Sequence, residues 1–338
     1  MSEISEMYTK LHAMLHNIVP DVELRYKAEL AVEINRLKKE KNAVILGHNY
    51  MEPALYHSIP DFVGDSLELS RRAATTSADI IIFCGVKFMA ETAKILNPSK
   101  TVLLPALKAG CSLAESITAA DVRALKAQYP GAPVVTYVNT YAEVKAESDI
   151  CCTSGNAVAV VKSLPDETII FLPDEYLAGN VARETGKRII FPSAAATPGP
   201  TMVGWRGRCE VHEKFTVKDI QTIRQQFPQV VILAHPECSP EVTAAADFSG
   251  STSAMIRYIE QTQAPQYLLL TECSMGDNII AAHPDKEMLR LCMVRCPHMN
   301  LITLEETLAS LRENRYVIDV PEEIRQRAAR AVQRMLEN

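Results

Sequence analysis

Apolar runs of strand length recur along the chain, and each ends in a short polar signature. Residues 43–50 read Ala-Val-Ile-Leu-Gly-His-Asn-Tyr, residues 133–140 Pro-Val-Val-Thr-Tyr-Val-Asn-Thr, and residues 230–237 Val-Val-Ile-Leu-Ala-His-Pro-Glu. Each is followed by a second element that opens with aspartate, at Asp61, Asp149 and Asp247, and runs into a helical pattern. A third apolar run follows at 79–84, 168–172 and 266–271, and a fourth at 101–104, 188–191 and 289–294. Soon after the fourth run each unit presents a cysteine, Cys111, Cys209 or Cys296. Seven residues beyond each cysteine stands a threonine (Thr118, Thr216, Thr303), and three further on an acid (Asp121, Asp219, Glu306). Thr-x-x-Asp/Glu is a helix-opening pattern, in which the hydroxyl caps the free N–H groups of the first turn.

The chain is therefore a threefold repeat of alternating strand and helix. Near-continuous apolar strands between helices predict parallel sheets covered on both faces. The expected fold is α/β, with three homologous three-layer α/β/α domains around a pseudo-threefold axis. Their expected bounds are 1–112, 113–210 and 211–300, with a helical segment 301–338 packing back on the first. Helices are expected over 23–40, 118–128 and 216–226.

Composition narrows the function classes. A net charge of −6 gives no basic excess for binding a phosphate backbone, and 6% aromatic residues give few stacking platforms for bases. No apolar run approaches the roughly 20 residues of a membrane span, and no signal-peptide pattern opens the chain. Nine cysteines, an odd number, point to a reducing, cytoplasmic setting. There they act as core packers, metal ligands or nucleophiles. Cys151, Cys152 and Cys292 read as core, Cys84 and Cys273 are open, and Cys238 is a candidate pocket wall.

In parallel α/β sheets, ligands bind beyond the carboxyl ends of the strands. Three units packed about one axis bring those ends to a single site. The strand ends supply His48, Asn49, Tyr50, Tyr137, Asn139, His235 and Glu237, residue types that move protons and orient carbonyls. The second elements supply Ser66, Ser154 and Thr252, which read as helix caps at N-termini suited to carboxylates or phosphate. The expected ligand is a small polyanion. The three repeat-equivalent cysteines would meet at one point. Three thiolates hold either a zinc ion with an open position or an iron–sulfur cubane by three of its irons.

Ten short motifs together resemble the quinolinate synthases, iron–sulfur enzymes of de novo NAD biosynthesis. They are Gly47-His-Asn-Tyr50, Gly64-Asp-Ser66, Ala109-Gly-Cys-Ser112, Tyr137-Val-Asn-Thr140, Glu143-Val-Lys145, Cys152-Thr-Ser154, Cys209-Glu-Val-His212, His235-Pro-Glu-Cys238, Gly250-Ser-Thr252 and Cys296-Pro-His-Met299. The resemblance implies a 4Fe-4S cluster held by Cys111, Cys209 and Cys296, whose open iron assists dehydration. It implies condensation of iminoaspartate with dihydroxyacetone phosphate, and an L-aspartate oxidase or aspartate dehydrogenase as metabolic partner. Some members carry a Cys-x-x-Cys-x-x-Cys run near the last ligand. This chain has only Cys292 and Cys296 there, so no redox switch of that kind is expected. On this reading Tyr50, Tyr137, His235 and Glu237 are catalytic. His48, Ser66, Tyr137, Asn139, Ser154, His235, Glu237, Ser251 and Thr252 bind substrate. Loops after Gly85 and over 194–207 are candidates to close over it.

Overall fold

β-Branched and aliphatic residues fill the strand cores, and three separate parallel sheets result. In the computed structural model, which describes residues 2–191, 201–290 and 294–338, the first sheet holds β1 (Ala43–His48), β2 (Phe62–Gly64), β3 (Ile80–Cys84) and β4 (Thr101–Leu103). The second holds β5 (Val134–Tyr137), β6 (Ile150–Cys152), β7 (Thr168–Leu172), β8 (Arg188–Ile190) and β9 (Thr201–Gly204). The third holds β10 (Val230–Ala234), β11 (Phe248–Ser249), β12 (Gln266–Leu270) and β13 (Met288–Leu289). Their orders are β2-β1-β3-β4, β6-β5-β7-β9-β8 and β11-β10-β12-β13. The order second–first–third is thus repeated three times, and the first and third sheets add their fourth strand beside the third, which makes the sequence repeat a repeat of topology.

The second sheet corrects one expectation. Residues 188–191 were expected as its fourth strand, yet β9 pairs with β7 and pushes β8 to the edge. Cys292 and residues 194–200 of the expected closing loop lie outside the described residues.

The aspartates that open the second elements have a structural task. The carboxylates of Asp61, Asp149 and Asp247 accept the backbone N–H of Ile45, Val134 and Ile232, each at 2.8 Å. Their own N–H groups donate back to the carbonyls of the same three residues. Each brace locks the second strand to the first and so fixes where the strand ends fall. The helix-opening pattern holds as well. Thr118, Thr216 and Thr303 cap the helices Ala119–Gln128, Val217–Gln226 and Leu304–Glu313.

One large hydrophobic core joins the first and second sheets to the C-terminal helices, whereas the third sheet packs mainly in two cores of its own. Helix Leu304–Glu313 lies on helix Asp21–Glu40 and β3. Helix Glu322–Glu337 lies on helix Ala142–Ala146 and β6, and also on helix Lys87–Leu96, spanning the first two sheets. Cys151 and Cys152 are buried in the core, as expected. Among the described residues no helix is long and apolar enough to cross a membrane.

Candidate active site

The carboxyl ends of the three first strands meet at one cavity of about 700 Å3, its mouth included. His48 ends β1 and Tyr50 follows it, Tyr137 ends β5 and Asn139 follows it, and His235 and Glu237 follow β10; all six line it. So do Ser66, Ser154 and Thr252, and the three cysteines 111, 209 and 296. Val86, Phe88 and Met89 form an apolar wall; the loop expected after Gly85 is short, because Val86 is the N-cap of helix Lys87–Leu96, which carries the other two. Ser251 stands behind that lining, where it caps helix Thr252–Gln261 and donates to Asp65 at 2.8 Å. Cys238 is buried and donates to the Leu270 carbonyl, away from the cavity lining.

At two of the three hydroxyls the expected capping falls to a neighbour, and at the third no side chain caps the helix. Asp65, not Ser66, caps helix Ser66–Thr75, and Ser251, not Thr252, caps its helix. Ser154 lies two residues ahead of Asn156, the cap residue of helix Ala157–Ser163. A carboxylate reaches two N–H groups at once, so Asp65 outcompetes the adjacent hydroxyl. The three hydroxyl residues themselves line the cavity.

Two histidines are set in matching ways. The Tyr50 N–H donates to His48 Nδ1 at 3.2 Å, and the Glu237 N–H donates to His235 Nδ1 at 3.3 Å. An acceptor Nδ1 puts the ring proton on Nε2. Both rings therefore offer a neutral N–H, and His235 directs its own at Ser154 Oγ, 3.3 Å away. Burial lowers His48 to about 4 and His235 to about 3, so both stay neutral at physiological pH.

A further line of groups was missed by sequence reasoning. Tyr50 Oη lies 2.5 Å from Thr271 Oγ1, which lies 2.9 Å from His212 Nε2. His212 Nδ1 lies 2.6 Å from Glu237 and 3.2 Å from Cys209 Sγ. Asn139 donates to the other oxygen of Glu237 at 3.1 Å. Burial alone would raise Glu237, but His212 beside it overcomes that and keeps the carboxyl ionised. His212 had a signal, since it sits three residues after a candidate ligand cysteine in a turn. Thr271 had only its place one residue past β12.

The cysteines share a local design too. Two backbone N–H groups point at each sulfur: from Leu113 and Ala114 at Cys111, Val211 and His212 at Cys209, His298 and Met299 at Cys296. Burial pushes Cys111 up to about 12, Cys296 to about 11, and Cys209 further. No lysine or arginine lines the cavity among the described residues. Converging thiols that carry N–H donors but lack a counter-charge fit a metal centre that supplies the charge. Cys209, His212 and Glu237 also offer ligand atoms within 4.8 Å of one another.

Fold and site together define a class: an α/β protein of three repeated parallel sheets with a cavity where they meet that bears thiols, histidines, tyrosines and a carboxylate. A family model described as quinolinate synthetase A protein (NadA) matches residues 32–337. Quinolinate synthase 2 of Mesorhizobium japonicum is 52% identical over 336 residues, 99% of each chain. Quinolinate synthase of Agrobacterium fabrum is 51% identical over 327 residues, 97% of this chain and 91% of that one. That of Xylella fastidiosa is 54% identical over 303 residues, 90% of this chain and 85% of the relative. The chain belongs to the quinolinate synthase family.

Proposed function

We propose that the protein condenses iminoaspartate with dihydroxyacetone phosphate to give quinolinate, phosphate and water, as a cytoplasmic step of NAD biosynthesis. Cys111, Cys209 and Cys296 hold a 4Fe-4S cluster, one thiolate from each of the repeats 1–112, 113–210 and 211–300. The observation that carries this reading is the convergence of those three thiols on the cavity that also holds Tyr50, His212 and Glu237. When bound, the cluster supplies an iron with an open coordination position, a Lewis acid for a departing hydroxyl.

The chain's own groups then divide the remaining work. Neutral donors meet the substrate anions: the N–H groups of His48 and His235, and the hydroxyls of Ser66, Ser154 and Thr252. Asn139 Oδ1 is buried with no protein partner. An acceptor in that state suits a donor on the ligand, such as an imine N–H. Tyr137, packed beside Glu237, holds that carboxylate in place and can hand a proton to the substrate.

Proton transfer follows a direction fixed by the donors. His212 Nδ1 faces a carboxylate and a sulfur, both acceptors, so it carries the ring proton. Nε2 then accepts from Thr271, and Thr271 accepts from Tyr50. When Tyr50 Oη takes a proton from substrate, its own passes to Thr271, and that of Thr271 to His212. The imidazolium so formed is stabilised by Glu237. The reverse movement returns the proton through Tyr50 to the hydroxyl that leaves as water.

Iminoaspartate is short-lived, so this reading calls for an L-aspartate oxidase or aspartate dehydrogenase as supplier. The cluster of Cys209, His212 and Glu237 supports a second reading, a zinc lyase, which metal content separates from the first. The direct test supplies iron-loaded protein with dihydroxyacetone phosphate and iminoaspartate generated in place. Quinolinate should form, and Glu237→Gln and Tyr50→Phe should lower its rate by about 100-fold or more with the iron content unchanged. Fully loaded wild-type protein that forms no quinolinate would contradict the proposal.

A further inference from the structure

Three sulfurs supplied by three separate units raise a problem of retention. A shift of one unit away from the others would pull its ligand off the metal. The third unit is the most exposed to this, because it packs mainly in its own cores rather than in the core that joins the other two.

We propose that Ser112, Glu210 and His298 form a clasp that ties the three cysteine-bearing loops together and slows loss of the metal centre. The inference rests on the ligand set proposed above. Each clasp residue stands one or two places after a ligand cysteine, and each comes from a different unit. Ser112 Oγ, next to Cys111, donates to the Arg208 carbonyl and accepts the Glu210 N–H, both at 3.4 Å. It thereby grips the Cys209 loop on either side of the cysteine. The Glu210 carboxylate meets His298 Nε2 at 3.0 Å, which joins the Cys209 loop to the Cys296 loop.

The circuit closes at Gly110, beside Cys111. A methyl group there would come within 3.6 Å of the His298 ring, so the imidazole lies against the first loop while it bonds to the second. All three clasp residues line the cavity. None belongs to the line from Tyr50 to Glu237. His298 and Glu210 remain partly open to solvent, with 24% and 37% of their side chains exposed. A pair so placed adds little to global stability. Its effect falls on local opening of the loops, the motion through which a ligand would be lost.

The test compares wild type, His298→Ala and Glu210→Gln, each loaded anaerobically. Iron transfer to an excess of a ferrous chelator is followed by absorbance. Both variants should release iron about three- to tenfold faster than wild type. The double variant should release it no faster than the faster single one, because both changes cut the same link. The exchanged pair, Glu210→His with His298→Glu, should restore slow release. Melting of the metal-free proteins should be unmoved.

Release within twofold of wild type in both single variants would overturn the clasp. So would faster release accompanied by a fall of several degrees in metal-free melting, which would mark a general loss of structure. A wild type that binds no iron would instead overturn the ligand set itself. That outcome is read before any variant is compared.

Discussion

His48 and His235 stand at equivalent strand ends and receive the same backbone hydrogen bond two residues on. Burial holds both neutral, at about 4 and about 3, and also lowers His57 to about 4. An unfolded histidine titrates near 6.5. Between pH 6.5 and about 4 the unfolded chain therefore binds protons that the folded chain refuses. The stability these groups contribute is complete above pH 6.5 and is lost as pH falls through that window. Urea unfolding of the metal-free protein should weaken on acidification from pH 7 to 5, with a limiting slope of about 1.4 kcal/mol per unit for each histidine. His57→Gln should remove one histidine's share of that slope. An identical profile in the variant would contradict the assignment.

Side-chain identity alone did not reveal that Thr271 and His212 link Tyr50 to Glu237. Both depend on the packing of β12 and of the turn after Cys209 against the end of β1. By contrast the placement of His48, Tyr50, Tyr137, Asn139, His235 and Glu237 on one cavity was legible, because parallel strands deliver their last and following residues to one side.

The aspartate braces do the corresponding work for whole elements. Each holds a short second strand, of two or three residues, that has little pairing of its own. Asp149→Ala removes a charged acceptor from the Val134 N–H and should cost about 2 kcal/mol in unfolding free energy. Asp149→Asn, which keeps an oxygen there, should cost less; equal stability of Asp149→Ala and wild type would contradict the brace.

Order and type of most elements could be read from apolar runs and Thr-x-x-Asp/Glu caps. β9 could not, since Thr201–Gly204 is short, ends in glycine and follows a Pro/Gly-rich stretch that breaks the pattern. The caps at Asp65 and Ser251 were misread by one residue because two capping side chains stand in succession at each site. Periodicity cannot say which of them turns inward.

For the molecule as a whole, the repeat is the mechanism of site assembly. No single sheet owns the cavity: each unit contributes a strand end, a cysteine and a hydroxyl at or just ahead of a helix. The three-sheet arrangement thus turns residues about a hundred positions apart into neighbours. The Cys-to-Thr register exposed this in the sequence. The crossing hydrogen bonds between units, Asn49 to Thr252 and Ser251 to Asp65, did not show there, since they depend on how the units dock.

The central claim is that one thiol from each unit holds a single iron–sulfur centre at this meeting point. Iron and sulfide should be counted after anaerobic preparation of wild type and of Cys111→Ala, Cys209→Ala and Cys296→Ala, with Cys151→Ala as control. The account predicts about four irons per chain in wild type and in the control, and loss of the centre in each of the other three. A single zinc per chain that survives Cys111→Ala and Cys296→Ala but not Cys209→Ala would contradict it.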